Sequence, residues 1–246
     1  MTNAEIKRQE EPAAGVEILV ECSDVAHTYG SGATAVVAVS QVDCFVRSDA
    51  RVALMGPSGS GKSTLLHMMA GLETATSGQV SWPVFGSNPA GTPGQVGVVF
   101  QGPSLIPSLD ALGNVAFPLI LEGVADSEAE RRALEALDDL ELGWMATKLP
   151  DELSGGQAQR VAIARVLATR PRLIIADEPT GQLDRETGRH VIDVLLHAAD
   201  RLGAALVIST HDPEVAERLP ERWRMDDGRL LPLAPPSHSD RKGTRP

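Results

Sequence analysis

The sequence predicts an α/β protein built on a parallel sheet, with a mostly helical lobe inserted between its strands. Three observations carry that expectation. Short apolar, β-branched runs recur along the chain: RVALM (51–55), VGVVF (96–100), RLIIA (172–176) and ALVIS (205–209). Each has the length and composition of a strand buried on both faces. Helical patterns fall between and after them at about 127–142, 157–169, 187–202 and 213–219, and strands alternating with helices indicate parallel pairing. Between Gly102 and about Arg170 the alternation gives way to mostly helical sequence, which marks the separate lobe.

The other segments arrange themselves around this core. EILVE (17–21) and VDCFV (42–46) read as strands, with His27-Thr28-Tyr29-Gly30-Ser31-Gly32 as turn material between them. Residues 1–15 and 232–246 are polar, Pro-rich or charged and read as mobile tails. The expected organisation is therefore one domain over 16–231, with its helical part at about 102–170 inserted into the core.

Bulk properties narrow the function. The chain has 246 residues, 42% of them hydrophobic, enough for one large core. Acidic residues outnumber basic ones, 33 to 22, for a net charge of −11. A duplex-binding protein usually shows a basic face, so nucleic acid is not an expected partner. Cys22 and Cys44 are the only cysteines, too few for a disulfide framework, and read as reduced thiols. The N-terminus lacks the apolar stretch of a signal peptide, and no apolar run approaches the ~18 residues of a membrane span. The chain is expected to be soluble and cytoplasmic.

Gly56-Pro57-Ser58-Gly59-Ser60-Gly61-Lys62-Ser63 fits G-x-x-x-x-G-K-[ST] in full. The glycines let successive backbone N–H groups point at phosphate oxygens, and the helix starting near Lys62 adds its positive end. Lys62 supplies a mobile charge, Ser63 a hydroxyl for Mg²⁺, and Thr64 completes the nucleotide-binding set. A nucleoside triphosphate site follows. Such a cradle needs acidic groups at a second strand end, and RLIIADEPT provides them. Adjacent residues leaving a strand point different ways. Asp177 would then hold Mg²⁺ through its water shell, and Glu178 would take a proton from the attacking water.

A guanine-reading [NT]KxD motif is missing from Thr147-Lys148-Leu149-Pro150, where the aspartate is absent, so a GTPase is not indicated. A second glycine-rich helix start does occur, at Leu153-Ser154-Gly155-Gly156-Gln157. Its hydroxyl, exposed N–H groups and helix dipole make another anion receptor, or, more plainly, a Ser-capped helix.

LSGGQ followed by QRVAIAR, then DEPTGQLD, then STHD, resembles the ATPase subunit of ABC transporters over roughly residues 17–231. The resemblance implies a P-loop NTPase core of RecA type, an N-terminal antiparallel β subdomain and an inserted α-helical subdomain. It implies ATP and Mg²⁺ as ligands, and a homodimer or pseudo-symmetric dimer in which Ser154, Gly155, Gly156 and Gln157 of one copy close over the γ-phosphate held by the other. Tyr29 would stack on adenine. Gln101 would touch Mg²⁺ and the attacking water. His211 would hydrogen-bond the γ-phosphate, and Asp184 would sit at the dimer seam. The partner would be an integral membrane permease, with this chain peripheral on the inner face of the cell membrane. His27, His67, His190, His197 and His238 read as structural.

Within the family, VGVVFQGPSLIPSLDALGNVAFPLILEGV and ADEPTGQLD resemble the lipoprotein-releasing and macrolide-exporting branch. Three departures stand out: Gln182 where that branch usually has Asn, Gly113 where it usually has Glu, and a short Gly/Pro-rich segment at 86–95 where relatives carry a longer connection. Two other readings stay open at this point: a soluble ABC ATPase of repair or translation, and a regulatory scaffold that binds ATP with little turnover.

Overall fold

The computed structural model describes residues 15–92 and 94–231. The tails expected at both ends lie, apart from Gly15, outside the described residues. The elements in chain order are β1 (Ile18–Tyr29), β2 (Val36–Arg47), β3 (Arg51–Met55), α1 (Lys62–Met69), β4 (Ser77–Ser81), β5 (Val96–Val99), α2 (Ala111–Leu121), α3 (Asp126–Asp138), α4 (Gly155–Ala168), β6 (Leu173–Asp177), α5 (Arg185–Leu202), β7 (Ala205–Thr210), α6 (Pro213–Glu217), β8 (Glu221–Asp226) and β9 (Arg229–Leu231).

The apolar runs do what their composition predicts. Val52 and Leu54, Leu173 and Ile175, Ala205 and Val207 point to one face of a sheet, into a core shared with α1, β1 and β2. Their neighbours Ala53, Ile174, Ala176, Leu206 and Ile208 point to the other, into a core shared with α2 to α5. Period-two alternation thus feeds two cores at once, which is why these strands carry no polar face. The sheet runs β5-β6-β7-β3-β8-β9. Its first five strands are parallel, and β9 returns antiparallel along β8 at the edge.

A second, antiparallel sheet of order β2-β1-β4 covers one face. Here the structure corrects the expectation. His27, Thr28 and Tyr29 are not turn material but the last residues of β1, paired with Val39, Val37 and Val36 of β2. The turn is confined to 30–35. β4, which follows α1, completes this sheet.

The inserted lobe comprises α2, α3 and α4. Asp110 caps α2 by accepting from Gly113 N at 2.7 Å. α3 stops four residues earlier than the expected 142; Leu142 N turns back to Leu137 O at 2.8 Å, and Glu141 takes a left-handed φ of +59°. The short 86–95 segment folds against the end of α1, where Asn88 donates to Gly71 O at 3.0 Å and caps a turn of 3-10 helix at Pro89–Gly91.

Candidate nucleotide site

Strand register brings four strand ends to one edge. Met55 pairs with Thr210, Asp177 with Ser209, and Val99 with Ala176. The loop from Gly56, the Gln101 segment, the Asp177-Glu178 pair and His211 therefore all leave the sheet at the carboxyl ends of its parallel strands, where open α/β sheets bind ligands.

The loop from Gly56 to Gly61 is pressed between two other strands. A Cβ at Gly56 would meet Met225 O of β8 at 2.2 Å, and one at Gly61 would meet Ala38 O of β2 at 2.0 Å. Both have positive φ, +154° and +95°, so only glycine fits. Gly61 also starts α1 without any side-chain cap. By contrast α2, α4, α5 and α6 are capped by Asp110, Ser154, Asp184 and Asp212. The first N–H groups of α1 have no side chain competing for them, the arrangement that receives an anion. Pro57, Ser58 and Gly59 line the exposed rim, Ser63 is exposed, and Ser60 is 3% exposed with no hydrogen-bond partner for its hydroxyl.

Lys62 is buried, and its Nζ donates to Gly56 O at 3.0 Å and Pro57 O at 2.9 Å. The same Nζ forms an ion pair with Glu178, whose Oε1 lies 3.8 Å away. The other oxygen of Glu178 lies 3.6 Å from His211 Nδ1. Glu178 thus sits between two cationic or protonatable groups, with its backbone at φ +44°. That left-handed conformation costs a non-glycine residue about 1–3 kcal/mol and persists where the surroundings fix it. Here Ser209 fixes it: its backbone oxygen and its hydroxyl both accept from Glu178 N, at 3.2 and 2.9 Å. The same hydroxyl donates to Asp177 Oδ1 at 2.5 Å. Ser209, fully buried, opens the STHD run, whose pattern alone assigns it no role.

Tyr29 is 44% exposed, its hydroxyl 3.3 Å from that of Thr64 on the first turn of α1. His27 braces the ring edge-on, with centroids 4.4 Å apart, and is itself held by Thr74 O at 2.9 Å. Of the histidines read as structural, His27 fits that reading, whereas His67 and His190 each bury an Nε2 with no hydrogen-bond partner among the described residues.

The second helix start stands apart within one chain. Ser154 and Gly155 are exposed. Ser154 accepts from Gln157 N at 3.3 Å while Gln157 Oε1 accepts from Ser154 N at 2.8 Å, a closed capping box. Gly156 abuts Leu183. Asp184 spends both carboxylate oxygens on α5, accepting from Glu186 N, Thr187 N and the Thr187 hydroxyl. That hydroxyl beside it holds its carboxyl below the usual carboxylate range. Among the described residues, no hydrogen bond or ion pair joins 154–157 or Asp184 to the cradle.

The donor set suits a magnesium ion held with a triphosphate. No cage of three or more acidic, His or Cys side chains forms among the described residues. Mg²⁺ is commonly held by one or two protein oxygens together with substrate phosphates. One buried carboxylate, Asp177, and one exposed hydroxyl, Ser63, are of that kind.

A parallel sheet with a glycine-walled phosphate loop, a paired Asp-Glu strand end and an inserted helical lobe defines a P-loop nucleoside triphosphatase. A sequence profile described as "ABC transporter" matches residues 39–181. The lipoprotein-releasing system ATP-binding protein LolD of Legionella pneumophila (strain Lens) is 38% identical over 221 residues, covering 87% of this chain and 97% of that protein. LolD of Geobacter metallireducens is 41% identical over 220 residues, covering 87% and 98%. A dimeric, post-hydrolysis structure of the ATP-binding cassette MJ0796 with ADP and Pi superposes with a TM-score of 0.81 at 37% identity, covering 86% of this chain and 96% of that one. The chain belongs to the ABC transporter family, as an ATP-binding and ATP-hydrolysing subunit. No helix among the described residues is long and apolar enough to cross a membrane.

Proposed function

We propose that two copies of this chain close head to tail over two molecules of Mg-ATP and so drive a separate integral membrane permease. The observation that carries this reading is the division of the chain's two anion receptors. The Gly56–Ser63 cradle lies with Asp177, Glu178 and His211, while the Ser154–Gln157 helix start faces solvent. An exposed receptor with no phosphate of its own to hold is suited to one carried by a second copy. The dimeric cassette MJ0796, similar over nearly its whole length, supports the arrangement.

In the closed pair, Tyr29 stacks on adenine, and base–aromatic stacking is worth about 1–3 kcal/mol. The cradle amides and Lys62 bind the phosphates. Glu178 accepts a proton from the attacking water, His211 hydrogen-bonds the γ-phosphate, and Gln101 orients the water and meets the metal. Ser63 and Asp177 hold Mg²⁺, which supplies charge neutralisation at the γ-phosphate. Asp184 lies at the seam between copies. Catalysis is then chiefly positioning and electrostatic stabilisation.

Relatives named for a lipoprotein-releasing system support a permease of that class and a peripheral place on the inner face of the membrane. The nucleotide site recognises triphosphate and base, so cargo is selected by the permease. Glu178→Gln should retain ATP and accumulate as a dimer on size exclusion. A Glu178→Gln chain that binds ATP yet stays monomeric at every concentration would refute the sandwich.

A further inference from the structure

Helix α4 carries more than the receptor at its start. Gln159, 1% exposed, donates from Nε2 to Phe100 O at 2.9 Å. Further along the same helix, Arg165 donates from Nη1 to Ser104 O at 2.9 Å and from Nη2 to Pro103 O at 3.4 Å. The acceptors are backbone carbonyls on the two sides of Gln101.

The grip depends on close approach. A Cβ at Gly97 of β5 would meet Val166 Cγ1 at 2.4 Å, so the bare glycine lets α4 lie flush on the strand that leads into Gln101. The Gln159 carbonyl is enclosed without a hydrogen-bond partner, so its amide group is tied to the rest of the protein through the Phe100 bond. Burial depresses the affinity of Arg165 for its proton, and a guanidinium in that setting must spend its N–H donors on acceptors. Ser104 is held at φ +45°. The far end of the loop is tied down as well. Asn114 of α2, fully buried, accepts from Ile106 N at 2.7 Å and donates to Leu109 O at 2.8 Å. From Phe100 to Leu109, then, the described hydrogen bonds from side chains outside this loop come from the helical lobe, while His67 of α1 packs its ring against Phe100 at 5.7 Å.

We propose that Gln159 and Arg165 are positioning residues that fix Gln101 to the helix bearing Ser154. Gln101 is thereby held to the same helix that presents Ser154. The proposal rests on the ATPase reading above.

The test is a double-mutant cycle in the full chain, with Gln159→Leu, Arg165→Met and Gln101→Ala. Gln159→Leu and Arg165→Met should melt as folded proteins and bind fluorescent ATP as the wild type does. Their kcat should fall roughly ten- to a hundredfold, the cost of misplacing a catalytic group by about 1 Å. Adding Gln101→Ala to either should cost nothing further, because the group they place is already gone. Arg165→Lys, which keeps one donor, should recover part of the loss. Multiplying effects, or an unchanged kcat in a folded variant, would overturn the clamp. If Gln159→Leu does not fold, the Arg165 pair completes the same cycle. A wild-type chain without ATPase activity would refute the functional reading alone. The clamp is then read by backbone NMR relaxation at Gln101, Gly102 and Ser104, whose order parameters should fall in the variants, and unchanged order parameters there would overturn it.

Discussion

The Ser209 hydroxyl joins the two acidic residues of the site: it donates to Asp177 at 2.5 Å and accepts from the backbone N–H of Glu178 at 2.9 Å. One fully buried side chain thus orients a carboxylate suited to the metal and fixes the strained turn that sets the other between Lys62 and His211. Ser209→Ala should lower stability by about 1–3 kcal/mol, because a buried carboxylate oxygen loses its donor. It should also lower kcat more than ATP affinity, since the cradle is untouched. Urea denaturation and steady-state kinetics check both. Unchanged turnover would show that Ser209 only packs.

The phosphate loop makes a steric prediction. Gly61→Ala places a methyl group against Ala38 O, and Gly56→Ala places one against Met225 O. Both should abolish nucleotide binding and lower Tm. Gly59→Ala meets nothing within 4 Å, so it should cost only the left-handed penalty of roughly 1–2 kcal/mol. Calorimetry and nucleotide titration separate the three. Equal loss in all three variants would mean that flexibility, rather than close approach, requires these glycines.

Ser154→Asp separates the two readings of the second helix start. Aspartate preserves the N-cap, so helix stability should change by only a few tenths of a kcal/mol. It also sets a negative charge where the partner copy's γ-phosphate would come. The variant should fold and bind ATP as a monomer but form no ATP-dependent dimer when combined with Glu178→Gln. A stable dimer there would leave Ser154 as a helix cap alone.

Cys22 and Cys44 face each other across β1 and β2 as buried free thiols. The Cys22 side chain and then burial push the Cys44 thiol well above its ordinary value. A raised folded-state pKa means that the unfolded chain loses its proton first as pH rises. The stabilisation is therefore complete below the unfolded value of about 8.5 and drains away above it, by at most about 1.4 kcal/mol per pH unit. Denaturation from about pH 7 to about pH 10 should show this loss in the wild type, and Cys44→Val should show a smaller one. Parallel curves would remove the thiol as the cause.

The readable part of the site was the part whose chemistry is contiguous in the chain. The cradle, the Asp177-Glu178 pair and His211 each announce themselves in a few adjacent residues, and the fold assembles them by strand register. Ser209, Gln159 and Arg165 lie within STHD and QRVAIAR, but those runs disclose no role for them because their partners are backbone groups or carboxylates delivered by distant segments. β4, with three of its five residues exposed, lacks an apolar signature, and α2 was obscured by Gly113 and Pro118. Tyr29 reads as turn material because the strand signal fades before it, but its pairing with Val36 makes it the last residue of β1.

Because β4 zips onto β1 only after α1 has been made, the chain passes through the phosphate helix on its way out of and back into the same antiparallel sheet. The strand that ends at Tyr29 and the helix that starts at Lys62 are consequently two sides of one buckle. Slack at Thr64 would have to open the pairing of Cys22 with Val80 some fifteen residues later, and fraying of that pairing would loosen the helix. The distance between Tyr29 and the start of α1 is thus set by a closed circuit of chain.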